Sequence, residues 1–337
     1  MAPAKSKAST VKANPNDQAI PPRIVYNKLL LDAFLAHRKI VSQWPPVVEQ
    51  AECVIVQGLF PGGHNPSLIR FRGQLVMAYR FRHGDKWSQS RLAIAELDER
   101  FSVTSNQELA VHDENSSLED PRLFEFQGEL CMSYISYTFP TFRSCLVKYV
   151  ELSKPDRWRA SAPVEHPYIV RGAREKNHVP FPVGDRLHII YRANPRQIIF
   201  TPGGSVELVT PALRWPYGEI RGGTTPMAYH GRLLKFFHSS LRNEMPPLPW
   251  RYYVGAMLME PEPPFKMLAV SQRPILRGSE VGGDETRMHF KKNVLFLAGC
   301  VEKDGVFHLS IGINDSQSAI AKIKPEDLHF MQNHSTL

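Results

Sequence analysis

The chain has 337 residues and a formal net charge of +8, and its 28 prolines and 21 glycines suit a fold with many turns better than a helical bundle. No segment approaches the roughly 18 consecutive apolar residues of a membrane span, and no apolar stretch follows the basic N-terminus. The basic residues are spread along the chain without a recognised nucleic-acid-binding motif. We therefore expect a cytoplasmic protein with neither a nucleic-acid partner nor a membrane partner.

Four segments follow one another in chain order. Residues 1–22, rich in Ala, Lys, Ser, Asn and Pro, predict a disordered tail. Residues 23–52 predict a short helical extension, because Tyr26 to Val41 carries apolar residues at helical spacing. Residues 53–327 consist of short apolar runs broken by turn residues, which predicts strands. Residues 328–337 are expected to form a C-terminal tail.

One hairpin recurs throughout the strand-rich segment. Each copy has an apolar strand, a turn with glycine and a second strand, and a further apolar strand usually follows. Four copies open at Asn65-Pro66, Asp120-Pro121, Val179-Pro180 and Thr225-Pro226, and a looser fifth runs from Asn293 to Asp315. Repetition at this period predicts an all-β fold, a five-bladed β-propeller with the short N-terminal helical extension. A β-sandwich whose hairpins are similar by coincidence is the alternative.

Polar residues at the starts of the inner strands should converge, because these strands begin near the axis of a ring. They are Asn65, Asp120, Asn177, Thr225 and Asn293. The proline beside them is expected near the first residue of a strand, which need not donate to the ladder. Asp120 is the one carboxylate, and burial could tune it as a proton donor. The plainer alternative is that Asp-Pro opens a turn and that Arg122 is the ion partner of Asp120.

Basic residues occur where the second strands of the hairpins end. Arg80, Arg192 and His238 end second strands, and with Lys176 and Arg221 they could form a rim that binds phosphate or sugar hydroxyls. Solvated arginines and an interior histidine are the alternative. The sequence has no zinc-protease motif, no Cys-x-x-Cys and no glycine loop of the phosphate-binding type, so we expect no metal and no bound cofactor.

Several of these residues lie in motifs that resemble glycoside hydrolase family 130, from about Asn65 to Ile323. The motifs are Glu119-Asp120-Pro121-Arg122, Glu175-Lys176-Asn177 followed by Phe181-Pro182, Gly222-Gly223-Thr-Thr-Pro226 running to Phe237-His238, Tyr253 to Met259, and Gly312-Ile-Asn-Asp315. That family comprises inverting β-mannoside phosphorylases and related β-mannosidases on a five-bladed propeller. The resemblance therefore implies an oligosaccharide or glycoside substrate.

The resemblance also implies roles for individual residues. Asp120 would be the proton donor, acting through a hydroxyl of the bound sugar. Asn65, Arg122 and Asp315 would hold the sugar in the cleaved subsite, and Arg80 and His238 match positions that bind phosphate in the phosphorylases. The remaining pocket residues would be Lys176, Asn177, Arg192 and Arg221.

Two departures from the family pattern bear on the nucleophile. Glu219 occupies the position of the family's phosphate-binding lysine, and Val183 replaces a basic residue after Phe181-Pro182. A carboxylate there disfavours a phosphate dianion. We therefore expect hydrolysis rather than phosphorolysis, with Glu219 as the base or an acceptor-site residue and Glu285 as the reserve candidate for the base.

Several alternatives stay open. Inorganic phosphate could still act as a co-substrate. Related propellers include mannosyltransferases, so a glycosyltransferase that uses a nucleotide sugar or sugar phosphate is a second option. A non-catalytic sugar-binding propeller is a third. The sugar, the linkage and the oligomeric state, including a homo-oligomer, are not determined by the sequence.

Overall fold

A computed structural model describes residues 52–82, 90–113, 117–137, 145–165, 176–194, 196–201, 207–211, 213–241, 251–279, 281 and 293–330. The predicted N-terminal tail (residues 1–22), almost all of the predicted helical extension, most of the predicted C-terminal tail and Glu285 lie outside these ranges. The described residues include no helix long and apolar enough to cross a membrane.

Within the described residues the chain forms 23 strands in five antiparallel sheets. Strand β1 (Cys53–Ile55) comes first. Blade 1 contains β2 (His64–Phe71), β3 (Gln74–Arg82), β4 (Ser90–Leu97) and β5 (Val103–Glu108). Blade 2 contains β6 (Ser117–Phe126), β7 (Glu129–Tyr137), β8 (Cys145–Ser153), β9 (Arg159–Ala160) and β10 (Val164–Glu165). Blade 3 contains β11 (Val179–Val183), β12 (Arg186–Arg192), β13 (Arg196–Phe200) and β14 (Glu207–Pro211).

Blade 4 contains β15 (Glu219–Arg221), β16 (Met227–Tyr229), β17 (Arg232–Leu241), β18 (Arg251–Met259), β19 (Met267–Val270) and β20 (Leu276–Arg277). Blade 5 contains β21 (Leu295–Lys303), β22 (Val306–Ile313) and β23 (Gln317–Ile323), and a 3-10 turn follows at Pro325–Asp327. The sheet of blade 5 is completed by β1, which pairs with β23 through Val54 and Ile320. The first described strand thus belongs to the same sheet as the last.

The blades pack around a ring through their inner strands. Strand β2 contacts β6 and β21, β6 also contacts β11, and β21 contacts β17. The seam between blades 3 and 4 is held by hydrogen bonds from Thr225 Oγ1 to the Pro180 carbonyl (3.1 Å) and from Gln197 Nε2 to the Phe265 carbonyl (2.8 Å). The prediction of a five-bladed β-propeller is confirmed.

Apolar side chains fill the spaces between neighbouring blades. Leu234 and Phe236 of blade 4, for example, share one buried cluster with Leu309 and Ile311 of blade 5. Because both faces of a blade are covered, strands such as β18 are buried over nearly their whole length. This explains why the sequence shows short continuous apolar runs instead of strict alternation.

The prolines of the first two hairpins lie inside strands, and the sequence-based expectation of a strand's first residue was wrong. Strand β2 begins at His64, and its register with β3 shifts between His64 and Ser67. The same shift occurs between Glu119 and Arg122 in β6. Each shift is a β-bulge with one extra residue, and a bulge accommodates proline because the ladder is interrupted there.

Candidate active site

A cavity of about 720 Å³ opens where the inner strands begin, and its size is typical of small-molecule sites. All five blades contribute to its wall. Ten of the eleven site residues predicted from the sequence line it: Asn65, Arg80, Asp120, Lys176, Asn177, Arg192, Glu219, Arg221, His238 and Asp315. The structure thus brings these ten residues together around one cavity, and their roles stay predictions.

Three predicted residues do not reach the cavity wall. Thr225 was expected to face the axis, but its hydroxyl binds the Pro180 carbonyl at a blade seam. Asn293 precedes the stretch from Val294 to Phe296 that lines the cavity, and does not itself line it. The third is Arg122, which is buried behind the wall.

One half of the cavity is organised around Arg80. Its Nη1 lies 2.7 Å from Glu119 Oε1, its Nε 3.7 Å from Asp120 Oδ1, and its Nη2 3.7 Å from Asp315 Oδ1. Asn65 Nδ2 donates a hydrogen bond to Asp120 Oδ1 at 2.8 Å. We call Asn65, Arg80, Glu119, Asp120 and Asp315 the acidic cluster. Arg80 is occupied by carboxylates in this arrangement and is not an open anion-binding rim residue.

The backbone explains why asparagine and aspartate occur at these positions. Asn65 and Asp120 both have φ of 53°, Asn177 has 65° and Asp315 has 51°. Asparagine and aspartate visit the left-handed region more easily than other residues with a side chain, because their short polar groups bond locally. The bulges at Asn65 and Asp120 thus turn these side chains into the cavity.

Asp120 is ionised in the cavity at neutral pH. Burial raises its pKa, but the charges of Arg80 and Lys176, the hydrogen bond from Asn65 and the charge of Arg122 outweigh burial and lower the pKa to about 2. The sequence-based idea that burial would tune this carboxyl as a proton donor therefore needs a correction. Burial acts in the expected direction, and the surrounding cations reverse its effect.

Lys176 and Arg192 lie over aromatic rings at the cavity wall. Lys176 Nζ is 3.5 Å from Glu119 Oε2 and 4.9 Å from the centre of the Tyr137 ring. Burial lowers the pKa of Lys176, but Glu119 and Asp120 raise it above its ordinary value. The Arg192 guanidinium lies 5.8 Å from the centre of the Tyr191 ring. These cation–π contacts hold both charges beside flat apolar surfaces.

The other half of the cavity is formed by blade 4 and carries Arg221, Lys235 and His238, which we call the basic cluster. His238 is buried, and the Leu297 N–H donates to its Nδ1 at 3.4 Å. Burial and the nearby charges of Arg122, Arg221 and Lys235 lower the pKa of His238 well below its ordinary value. A neutral ring that accepts at Nδ1 carries its proton on Nε2, so His238 has one donor left.

Lys235 is a functional candidate that sequence reasoning missed. It is 1% exposed, lines the cavity and donates to the Gly222 carbonyl. Burial and the charge of Arg122 lower its pKa to about 7. The available signal was a lysine inside the apolar run Leu233-Leu234-Lys235-Phe236-Phe237, where a charged side chain is unusual unless it has a polar surface to reach.

Glu219 lies at the cavity mouth, and its side chain is 61% exposed. Arg221 Nε and Nη2 donate to Glu219 Oε2 at 3.0 and 2.7 Å. The two residues are two apart on β15 and therefore lie on the same face of the strand. The carboxylate that interrupts the basic rim is thus paired with a rim arginine.

Arg122 is buried behind the wall. Its Nη1 donates to the Gly223 carbonyl at 2.6 Å and lies 3.4 Å from the Leu297 carbonyl, and its guanidinium lies 5.1 Å from the centre of the Phe296 ring. Burial lowers its pKa to about 10. The structure therefore places Arg122 against backbone of blades 4 and 5 and not at the cavity surface.

Glu119 is the second residue missed as a site residue. It belongs to the motif Glu119-Asp120-Pro121-Arg122 but was not predicted to line the site, yet it lines the cavity and contacts both Arg80 and Lys176.

Among the described residues, no group of three or more His, Cys, Asp or Glu side chains is arranged to hold a metal ion. That the protein needs neither a metal nor a cofactor stays a prediction.

A five-bladed propeller that gathers carboxylates, amides and cations around one axial cavity has the make-up of an enzyme for polyhydroxylated ligands. The family model described as beta-1,4-mannooligosaccharide phosphorylase matches residues 60–333. The chain therefore belongs to glycoside hydrolase family 130, a family of glycoside phosphorylases and hydrolases.

Solved structures of low sequence identity share the fold. A beta-1,2-mannobiose phosphorylase from Listeria innocua matches at 14% identity over 86% of this chain and 94% of that chain, with a TM-score of 0.60. MPT-4, a mannose phosphorylase from Leishmania mexicana in complex with phosphate ion, matches at 15% identity over 91% and 96%, with a TM-score of 0.59. A structure reported for family hydrolases that target beta-1,2 mannosidic linkages in Candida mannan matches at 13% identity over 82% and 95%, with a TM-score of 0.58. Comparison with curated protein sequences gives no match.

Proposed function

We propose that this enzyme cleaves β-mannosides, or a similar β-glycoside, with inversion, and that Asp120 supplies the proton to the leaving oxygen. The observation that carries the proposal is the acidic cluster at the axis, where Asn65 fixes Asp120 by a 2.8 Å hydrogen bond and Arg80 faces three carboxylates. Rigid polar groups of this kind suit a sugar ring, whose hydroxyls both donate and accept.

Protonation of Asp120 is coupled to substrate binding in this proposal. An ionised carboxylate donates no proton, and the pKa of Asp120 is about 2. A sugar that fills the cavity removes water from around Asp120, and the additional burial raises the pKa of the carboxyl. A sugar hydroxyl bound to Asp120 then relays the proton to the glycosidic oxygen.

Glu219 is the proposed base for hydrolysis. Its carboxylate is accessible to water at the cavity mouth, and Arg221 fixes its orientation through two hydrogen bonds to one oxygen. In an inverting hydrolase the base activates water on the face of the sugar opposite the acid. Glu219 and Asp120 come from blades 4 and 2, which leaves the sugar to bind between them.

The basic cluster favours a second candidate function. Lys235 lines the cavity together with Arg221, His238 and Glu219, and its protonated form adds a positive charge there. An anionic co-substrate would find cations there even without the family lysine. Phosphorolysis, or glycosyl transfer from a nucleotide sugar or sugar phosphate, is therefore the alternative to hydrolysis.

The test is incubation with β-mannobioses of each linkage, with and without inorganic phosphate, followed by product analysis. Hydrolysis releases mannose in phosphate-free buffer, phosphorolysis requires phosphate and releases a sugar 1-phosphate, and transfer requires an activated donor and lengthens an acceptor. Binding of mannobiose without any turnover would identify a sugar-binding propeller instead.

Asp120→Asn is expected to lower kcat by at least about 100-fold, the usual contribution of a proton donor, in a protein that still folds. Asparagine keeps the size of the side chain and tolerates the same backbone conformation. Asp156→Asn, at an exposed aspartate paired with Arg159, is the matched control and should keep full activity. Full activity of Asp120→Asn would contradict the proposed role.

A further inference from the structure

Glu119 contacts Arg80 and Lys176, two cations whose charges act on Asp120. Its Oε1 is 2.7 Å from Arg80 Nη1, and its Oε2 is 3.5 Å from Lys176 Nζ. The side chain is 21% exposed and forms part of the cavity wall. Each carboxylate oxygen thus contacts a different cation, one from blade 1 and one from the segment that leads into blade 3.

The distances rank the partners of Arg80. Its separation from Glu119 is that of a charge-assisted hydrogen bond, whereas Asp120 and Asp315 lie 3.7 Å away and beyond hydrogen-bond length. Arg80 Nε, the atom nearest to Asp120, has no hydrogen-bond partner although it is buried. The guanidinium is therefore oriented by Glu119 and leaves a donor beside Asp120 unused.

We propose that Glu119 is a positioning residue that holds Arg80 and Lys176 back from Asp120 and so keeps the Asp120 carboxyl able to accept a proton. This inference rests on the proposed role of Asp120 as the proton donor. Glu119 itself touches neither the leaving oxygen nor the nucleophile, and it acts through the two cations.

The charges around Asp120 support this assignment. Arg80 interacts with Glu119, Asp120 and Asp315, whereas Lys176 interacts with Glu119 and Asp120. Arg122 adds a third positive charge from behind the wall. If Glu119 loses its charge, only two carboxylates remain to balance these cations. Arg80 and Lys176 then interact more strongly with Asp120, which lowers the proton affinity of that carboxyl.

The experiment compares the kcat–pH profiles of the wild type, Glu119→Gln and Glu119→Asp on the best mannobiose. Activity that needs protonated Asp120 falls as pH rises through its pKa in the complex, which sets the alkaline limb of the profile. In Glu119→Gln we expect this limb to move by about one pH unit toward lower pH, and kcat at pH 7 to fall about tenfold. Glu119→Asp, which keeps the charge on a shorter side chain, should restore part of the shift.

Glu129→Gln is the matched control, since Glu129 is an exposed glutamate on the same blade and pairs only with Arg72 among the described residues. Its profile should coincide with that of the wild type. A merely structural role of Glu119 would lower the melting temperature and kcat without moving the alkaline limb. An unmoved limb in a folded Glu119→Gln variant overturns the proposal.

A crystal structure of Glu119→Gln tests the same idea without any turnover. We expect the Arg80 guanidinium to close on Asp120 to within about 3.2 Å, a normal hydrogen-bond distance. If Glu119→Gln does not fold, Glu119→Asp is examined instead, because its shorter carboxylate reaches one cation at most. Arg80 unmoved from its wild-type distance to Asp120 contradicts the proposal, even if the wild-type enzyme proves inactive on mannosides and the proposed function itself fails.

Discussion

Lys235 is an amine buried in the wall of a polar cavity, and among the residues that the structure describes its side chain donates to the backbone carbonyl of Gly222. Burial and Arg122 lower its pKa in the folded protein to about 7, while a lysine in the unfolded chain titrates near 10.4. Between these values the unfolded chain binds more protons than the folded protein. Stability therefore rises with pH from about 7 to about 10 through this residue, and the cost of charging it is largest below pH 7.

Lys235→Met is expected to be more stable than the wild type at pH 6, by about 2 kcal/mol, because methionine avoids the buried charge. The difference should shrink at pH 8 and be smallest near pH 10. Urea unfolding at these three pH values measures it, and Lys324→Met, at an exposed lysine, should show no such pH dependence. A stability difference that stays constant from pH 6 to pH 10 would contradict the assignment.

At the scale of single residues, the sequence predicts which side chains line the cavity when these residues occupy equivalent positions in the repeated hairpins. Asp120 and Asn65 stand out because they open equivalent hairpins, and both reach the cavity. Arg122 could not be placed, because its position depends on carbonyls of Gly223 and Leu297 in two other blades. Lys235 was missed because a strand buried on both faces gives no alternation to show which side a residue faces.

At the scale of elements, the inner strand of blade 4 is divided where the other inner strands are continuous or bulged. Strands β15 and β16 both pair with β17, and the segment 222–226 separates them. Gly223 has φ of 108°, and a Cβ atom there would overlap the Phe236 carbonyl oxygen. The segment is fixed by Thr224, whose N–H donates to that same carbonyl at 2.9 Å.

Gly223→Ala is therefore expected to destabilise the protein by about 3 kcal/mol or more, since it adds both backbone strain and a steric overlap. Gly231→Ala is the matched control, because Gly231 also has positive φ (71°) but has open space where a Cβ would lie. Its cost should be the strain alone, about 1 kcal/mol. Equal losses for the two variants in urea unfolding would show that the close approach at Gly223 is unimportant.

The hairpins themselves were predictable from the sequence, whereas the division of the blade 4 strand was not. A hairpin depends on a turn and two short apolar runs, all within about 15 residues, as in β2 and β3. The division depends on the Gly223 carbonyl, which Arg122 binds from blade 2, 101 residues away in the chain.

At the scale of the whole molecule, the ring is joined by a strand from the beginning of the described chain. The Lys322 N–H donates to the Glu52 carbonyl at 3.0 Å and the Val56 N–H donates to the Ser318 carbonyl at 2.9 Å. Val54 lies midway between these bonds and opposite Ile320, so its backbone N–H also belongs to the ladder. Val54 is 55% exposed, and a change of its side chain removes little apolar contact.

Val54→Pro is expected to lower the free energy of unfolding by about 2 kcal/mol, because proline removes one ladder donor and leaves a carbonyl of β23 without its partner. Val54→Thr keeps the N–H and should change stability by less than about 0.5 kcal/mol. Thermal or urea unfolding of both variants measures the contribution of β1 to ring closure. Indistinguishable variants would mean that blade 5 is stable without this pairing.

The left-handed asparagine and aspartate residues have a consequence for how such a ring can change its chemistry. Asn65, Asp120 and Asn177 occupy comparable backbone positions in three blades, and the two residue types differ only in the terminal oxygen or amide of the side chain. Exchanging one for the other alters charge while the main chain keeps its course. Two substitutions, one from aspartate to asparagine and one from asparagine to aspartate, would therefore move the acid from one blade to the next without a change of the backbone.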